Sequence, residues 1–117
     1  MRKPFKKSLN EIPIEEAHGG TGSRQLLLSK IDPISKYLEA MTKGYLKAGR
    51  KFDWHLHDEI DEFFLVIKGH GLVEFKNENS LEYSEGDLIY IPANIEHQII
   101  ASKDGDNEFF FIRLQGK

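Results

Sequence analysis

The chain has 117 residues, of which 39% are hydrophobic and 30% are charged, a composition typical of one domain with one hydrophobic core. It contains no cysteine, which excludes disulfides and thiolate chemistry and restricts any metal site to nitrogen and oxygen ligands. The formal net charge of -3 argues against a general affinity for nucleic acid.

The first twenty residues are predicted to form an N-terminal arm, followed by one domain over residues 21–117. The arm is basic but lacks the apolar stretch of a signal peptide, and no window of the chain approaches the roughly 18 apolar residues that span a membrane. We therefore expect a cytoplasmic protein without membrane or nucleic-acid partners. Residues 12–14 are a candidate for pairing along a sheet edge or across a dimer. The basic residues are interpreted as a solvated end, and they are Arg2, Lys3, Lys6 and Lys7.

A glycine-rich connection, a short strand and an ambiguous segment follow the arm. The connection, residues 18–23, lacks the Lys-Ser/Thr pair and the strand–helix context of a phosphate-binding loop, and we expect its His18 to be exposed. Residues 24–29 favour a strand. Residues 34–46 carry apolar side chains at helical spacing, which by itself favours an amphipathic helix. These side chains are Ile34, Leu38, Met41 and Tyr45.

The stretch between Gly49 and Gly69 contains most of the residues on which the functional prediction depends. His55 and His57 are separated by one residue, so on a strand they share one face and can converge on a metal ion. Glu62 follows an acidic turn and opens an unbroken apolar run, close enough to add an oxygen ligand. The two flanking glycines permit sharp turns. Because metal sites usually collect three or four protein ligands, a further ligand is expected elsewhere.

A second stretch, residues 86–97, can supply that ligand. Gly86 begins a turn, a buried strand follows, and Pro92 ends this strand. His97 then begins the next apolar alternation. By contrast, His70 lies between glycines, and we expect it to be exposed.

The two stretches resemble the two signature motifs of the cupin superfamily. Every anchor of the first motif, G-x5-H-x-H-x4-E-x6-G, is present, and the second motif, G-x5-P-x-G-x2-H-x3-N, is matched in part. Asn94 stands where the family usually has Gly, and Ala101 where it often has Asn. Because Asn tolerates positive φ better than other non-glycine residues, we expect the turn to survive. The matching anchors are Gly49, His55, His57, Glu62 and Gly69, then Gly86, Pro92 and His97.

The resemblance implies an all-β fold, the double-stranded β-helix or jelly-roll barrel of the cupins, in a single domain. Many short strands separated by turn signals also favour a β-sandwich or barrel. Against the helical spacing, the resemblance predicts a strand from about residue 40 to residue 47, and it leaves residues 34–39 open between helix and strand. Further strands are expected at residues 63–67, 72–76, 81–84, 88–91, 98–102 and 108–114.

The resemblance also implies one divalent transition metal ion bound by four residues, His55, His57, Glu62 and His97. Imidazole and carboxylate ligands suit Fe, Mn, Ni, Zn, Co or Cu, and affinity order alone does not select among these metals. Strand alternation predicts that the pocket wall is mostly apolar and includes Phe64, Val66 and Ile99. No catalytic residue is assigned; the candidate polar contributors are Glu74, Tyr90, Gln98 and Arg113.

Three functions are compatible with this site. The resemblance favours a metal-dependent enzyme that acts on a small organic molecule, of the dioxygenase or the sugar or keto-acid isomerase type. The alternative is a non-catalytic cupin that binds or senses a small molecule. A metal-free structural cupin is disfavoured because all four ligand positions are filled. We also expect a homodimer, because residues 63, 65 and 67 would leave an apolar outer sheet face that a second copy can cover.

Overall fold

The computed structural model describes residues 2–17 and 22–116. Within these ranges the regular structure consists of ten β-strands and one short 3-10 turn, Leu9–Glu11. The strands are β1 (Glu15–Ala17), β2 (Gly22–Leu28), β3 (Leu38–Leu46), β4 (Lys51–His55), β5 (Ile60–Lys68), β6 (Gly71–Phe75), β7 (Leu81–Tyr83), β8 (Leu88–Ile91), β9 (His97–Ala101) and β10 (Asn107–Gln115).

The strands form two sheets whose inner faces enclose the core. The larger sheet has six strands in the order β1-β2-β3-β10-β5-β8, and the smaller has four in the order β4-β9-β6-β7. The paired strands are antiparallel throughout. Most neighbours within a sheet are distant in sequence, as expected for a jelly roll. The predicted all-β jelly-roll fold is confirmed.

The segment with helical spacing forms a strand. In β3 burial alternates from residue to residue, with Thr42, Gly44 and Leu46 on the buried face. Residues 34–37, just before this strand, form turns and bends. The helix that periodicity favours is therefore wrong, because β3 lies between β2 and β10 and pairing on both sides outweighs the local spacing. The strand predicted from about residue 40 is confirmed and begins at Leu38.

An aromatic cluster fills the space between the two sheets. Ring centroids of neighbouring members lie 5.3 to 6.2 Å apart in tilted or edge-to-face arrangements, the geometry in which aromatic rings attract. Both sheets contribute to the cluster, so it holds them together. Its members are Phe52, Phe64, Tyr83, Phe109 and Phe111, all buried.

The N-terminal arm lies against the larger sheet. The side-chain amide of Gln25 donates hydrogen bonds of 2.8 Å to the carbonyls of Leu9 and Ile12. The strand at the sheet edge is β1, which pairs with β2 and begins just after residues 12–14. Residues 12–14 do not pair along this edge, and Pro13 gives a physical reason because proline has no N–H to donate to a ladder. Their pairing across a dimer stays a prediction.

Two sequence predictions fall on residues 18–21, outside the described residues. These are the boundary between arm and domain, and the exposure of His18, and both stay predictions. Across residues 2–17 and 22–116, no helix is long and apolar enough to cross a membrane. The cytoplasmic location also stays a prediction.

Replacing Gly69 by alanine should destabilise the fold. Gly69 has φ +90°, and an added Cβ would lie 2.8 Å from the carbonyl oxygen of Asp106 and would overlap the side-chain amide of Asn107. The backbone conformation alone should cost about 1–3 kcal/mol. Urea unfolding measures the loss, with Gly105→Ala as the control because a Cβ at Gly105 would have no neighbour within 4 Å. Equal losses in the two variants would contradict the prediction.

Candidate functional site

The four predicted ligands come from both sheets. His55 ends β4, His57 lies in the loop that follows, and His97 begins β9, where it stands directly opposite His55 in the smaller sheet. Glu62 belongs to β5 in the larger sheet. We call these four residues the histidine–glutamate cluster.

The structure brings the whole cluster together around one point. Each member offers one ligand atom, and these atoms lie within 4.8 Å of one another. The ring centroid of His55 is 4.3 Å from that of His97 and 5.0 Å from that of His57. As predicted, His70 is outside this group; it is exposed, and its Nε2 lies 3.3 Å from Oδ2 of Asp104.

Backbone carbonyls orient two of the imidazoles. Nδ1 of His55 lies 2.7 Å from the carbonyl oxygen of Asp53, and Nδ1 of His97 lies 2.8 Å from that of Ile95. A carbonyl only accepts hydrogen bonds, so Nδ1 carries a proton in both rings and Nε2 is the nitrogen left to serve as a metal ligand. Such a bond fixes the tautomer and the ring direction that a metal ligand needs.

Glu62 is the electrostatic centre of the cluster. Its Oε2 lies 3.4 Å from Nε2 of His57, and its Oε1 lies 3.4 Å from Nε2 of His97. Arg113, directly opposite on β10, places Nε 3.6 Å from Oε2. Burial alone would raise the pKa of Glu62, but the contacts with His57 and His97 and the charge of Arg113 outweigh it and hold that pKa well below its usual range. The carboxyl is therefore ionised.

The polar atoms of the cluster fit a metal ion. Nε2 of His57, Nε2 of His97 and Oε1 of Glu62 are buried and have no hydrogen-bond partner among the described residues. Buried polar atoms left unpaired cost about 1–3 kcal/mol each, and a coordinated cation would satisfy all three. Imidazole and carboxylate are the donor types that divalent transition metals accept.

Asn94 ties the loop that carries His57 to the loop that precedes His97. The backbone N–H of Asn94 donates to the carbonyl of His57 at 3.1 Å, and its Oδ1 accepts from the N–H of Glu59 at 3.0 Å. Asn94 has φ +68°, so the expectation that the turn survives without glycine is confirmed. In place of the usual glycine, Asn94 adds a side-chain bond between the two loops.

Replacing Asn94 by alanine should cost more stability than replacing it by glycine. Alanine loses both side-chain bonds to Glu59 and also strains the left-handed backbone, which costs about 1–2 kcal/mol for a residue with a Cβ. Glycine loses only the two exposed side-chain bonds to Glu59, worth about 1 kcal/mol or less each. Urea unfolding of the two variants gives the difference. Equal losses would show that the side-chain bond matters and the backbone conformation does not.

A narrow cavity of about 20 Å³ reaches the cluster between the two sheets. His55 and Glu62 stand in its wall. The rest of the wall combines apolar side chains with a hydroxyl and two guanidinium groups. These lining residues are Ala17, Arg24, Thr42, Gly44, Phe52, Ile99, Phe111 and Arg113.

The predicted apolar wall is partly right. Ile99 lines the cavity, whereas Phe64 and Val66 belong to the packed core and are 0% and 1% exposed. Sequence reasoning missed Phe52. If strand residues alternated strictly, counting back from the inward-facing His55 would place the side chain of Phe52 on the outer face of the sheet. The register between β4 and β9 shifts between these two positions, and such an irregularity reverses the facing of the residues before it.

Of the predicted polar contributors, only Arg113 lines the cavity. Glu74 and Gln98 bind each other at 2.6 Å, and Tyr90 is 49% exposed; none of the three belongs to the cavity wall. Arg24, which does line it, was missed. The sequence gives one signal that could have found it: on β2 and β10, Arg24 and Arg113 are the only arginines.

Several solved structures share this fold. A predicted oxalate decarboxylase from Thermotoga maritima superposes with a TM-score of 0.82 at 19% identity, covering 95% of this chain and 99% of the other. KdgF from Halomonas sp. gives a TM-score of 0.78 at 17% identity, covering 98% and 96%. Ectoine synthase from P. lautus gives 0.81 at 16% identity, covering 96% and 78%. At these identities the likeness shows the fold alone.

Sequence comparison establishes the family. YdbB of Bacillus subtilis, an uncharacterized protein, is 33% identical over 48 residues, 41% of this chain and 42% of that protein. The uncharacterized MJ1618 of Methanocaldococcus jannaschii is 31% identical over 61 residues, 52% and 48% of the two chains. The chain thus matches less than half the length of each relative. The profile of the cupin domain matches residues 44–113, more than half of this chain, and contains the whole histidine–glutamate cluster. The chain therefore belongs to the cupin domain family.

Proposed function

We propose that this cupin is a metal-dependent enzyme that acts on a small organic molecule, with the histidine–glutamate cluster as its metal site. Three observations on the cluster together support the proposal. Four potential ligand atoms meet within 4.8 Å, three of the cluster's polar atoms are buried without hydrogen-bond partners among the described residues, and a cavity leads to the cluster.

A divalent ion in this cluster, whether Fe, Mn, Ni, Zn, Co or Cu, would supply Lewis-acid or electron-transfer chemistry. The residues of the chain provide the surroundings. The carbonyls of Asp53 and Ile95 fix the orientation of the imidazole rings of His55 and His97. Phe52, Ile99 and Phe111 form the apolar part of the wall, which limits the water around a bound substrate.

The cavity wall bears on the reaction type. Among the described residues that line it, Glu62 is the only carboxylate and His55 the only imidazole, and both belong to the cluster. Isomerisation of a sugar or keto acid needs a base to move a proton, and no side chain of the wall is spare for that task. This favours the dioxygenase type over the isomerase type. The same observation supports the alternative, a non-catalytic cupin that binds or senses a small molecule.

Metal content tests the site. Protein purified without an affinity tag should contain about one equivalent of a transition metal, and His55→Ala should lose it. His70→Ala is the matched control, because His70 is exposed and lies outside the cluster. A wild type that stays empty after loading with Fe(II), Mn, Ni and Zn would overturn the enzyme proposal.

The identity of the metal then directs the activity test. Iron, copper or nickel calls for O2 consumption with small organic substrates, and zinc calls for isomerase and binding screens. Manganese calls for both. Oxygen uptake that depends on substrate would support the dioxygenase type. A metal-loaded protein that binds small molecules but converts none would support the non-catalytic alternative.

We also propose that the protein is a homodimer formed through the outer face of the larger sheet. Leu65 and Leu88, directly opposite each other on β5 and β8, are 39% and 66% exposed, and Ile67 and Tyr90 are 40% and 49% exposed. A second copy would bury this patch in a two-fold symmetric interface. Sedimentation equilibrium should show a dimer for the wild type and a monomer for Leu88→Glu. A monomeric wild type would contradict the proposal.

A further inference from the structure

His57 is held differently from the other two imidazoles of the cluster. His55 and His97 belong to paired strands, and backbone carbonyls fix their rings. His57 lies in a loop, and in the part of the chain that the structure describes no carbonyl accepts a hydrogen bond from its Nδ1. Its side chain is 16% exposed, compared with 1% for His97. The direction of this ring therefore depends on the backbone of its loop.

That loop turns through a residue in a strained backbone conformation. The N–H of Ile60 donates to the carbonyl of His57 at 3.4 Å and closes a turn, and Glu59 within this turn has φ +61°. A left-handed conformation costs a residue with a Cβ about 1–2 kcal/mol, and it persists only where surrounding contacts enforce it. The contacts of Glu59 therefore decide whether the loop keeps its shape.

Two segments outside the loop hold the backbone of Glu59. Oδ1 of Asn94 accepts from the N–H of Glu59 at 3.0 Å, and Gly116, just after β10, donates its N–H to the carbonyl of Glu59 at 2.7 Å. A Cβ on Gly116 would lie 3.1 Å from this carbonyl oxygen, so a residue without a side chain permits the close approach. We call Glu59, Asn94 and Gly116 the Glu59 clamp.

Both outer members of the clamp are fixed in turn. The N–H of Asn94 donates to the carbonyl of His57 at 3.1 Å, so Asn94 contacts the loop at two points. Gly116 follows Gln115, the last residue of β10, whose N–H donates to the carbonyl of Tyr37 at 2.8 Å. The loop is therefore tied on one side to the turn before β9 and on the other side to the end of β10.

We propose that the Glu59 clamp positions His57 as a metal ligand, so that the end of β10 helps to set how tightly the histidine–glutamate cluster binds its ion. This inference rests on the proposed metal site. The clamp residues are positioning residues, because they act on His57 through its backbone. Partners that orient a metal ligand typically raise metal affinity by about ten- to a hundredfold. We expect the lower end of this range, because the clamp acts through the loop and not on the ring itself.

Competition with a zinc chelator of known affinity tests this inference. Asn94→Gly tolerates the left-handed backbone but lacks the Oδ1 acceptor, and Gly116→Pro lacks the N–H donor. Each should weaken zinc binding about tenfold. Two matched controls should stay within about threefold of the wild type. Gly116→Ala adds a Cβ but keeps the donor, and Glu59→Gln removes the charge but keeps both backbone hydrogen bonds.

The imidazole signals in nuclear magnetic resonance spectra of the metal-free protein give a readout that needs no ion, and His57→Ala identifies the signals of His57. In Asn94→Gly and Gly116→Pro the ring signals of His57 should shift and broaden most, because its loop is released. Those of His55 and His97 should change little, because carbonyls still hold both rings. A general loss of stability would not single out His57. Equal changes in all three rings would overturn the inference.

The failure of this inference and the failure of the proposed function are distinguishable. A wild type that binds none of Fe(II), Mn, Ni and Zn overturns both. A wild type that binds zinc, with unchanged affinity in Asn94→Gly and Gly116→Pro, overturns only the role of the clamp. If Gly116→Pro does not fold, Asn94→Gly still decides, because glycine accommodates the φ of +68° at this position.

Discussion

Replacing Glu62 by glutamine should lower the affinity for a divalent metal ion by at least about a hundredfold, more than the loss expected for an outer residue that only orients a ligand. Glu62 carries the one negative charge of the histidine–glutamate cluster, and it contacts His57 and His97 at 3.4 Å. Glutamine has the same shape, so the loss reports the charge. The substitution also removes the negative charge beside the buried Nε of Arg113.

Competition with a chelator of known affinity measures this effect. Glu82→Gln is the matched control, because Glu82 is exposed on β7 and is outside the cluster, and it should bind metal as the wild type does. Unchanged affinity in Glu62→Gln would show that Glu62 is not a ligand. The ligand set would then be reduced to the three histidines.

Replacing Phe64 by alanine should have the largest effect on stability, a loss of about 3–5 kcal/mol. Phe64 is 0% exposed, and its ring centroid lies 5.5 Å from that of Phe109 and 5.3 Å from that of Phe111. These partners belong to β10, which pairs with β5, so the cavity left by the ring cannot collapse without moving paired strands. The loss is a large part of the roughly 5–15 kcal/mol that stabilises a typical domain.

Urea unfolding of the metal-free protein measures this loss. Phe5→Ala removes the same side chain from the arm, where Phe5 is 48% exposed, and should cost about 1 kcal/mol or less. If the two variants lost equal stability, the barrel interior would not be the main source of stability.

Much of the fold followed from local patterns. The strands predicted at residues 63–67 and 88–91 were recognisable because short apolar runs stand between turn residues, and β5 and β8 occupy these positions. Local spacing misled at residues 34–46, where side chains at helical intervals lie on β3. A strand paired on both sides takes its conformation from its neighbours, and the chain alone does not show which segments those are.

The sequence by itself determined the composition of the candidate site. His55, His57, Glu62 and His97 were identifiable by their spacing within two motifs, and the structure brings them together; their role as metal ligands stays a prediction. Only the tertiary structure decided what surrounds them. The register shift in β4 that turns Phe52 inward, and the pairing that sets Arg113 opposite Glu62, depend on contacts between segments far apart in the chain. Strand alternation is a local pattern that predicts side-chain facing over only a few residues. The cavity wall depends instead on the pairing register between strands that are far apart in the sequence.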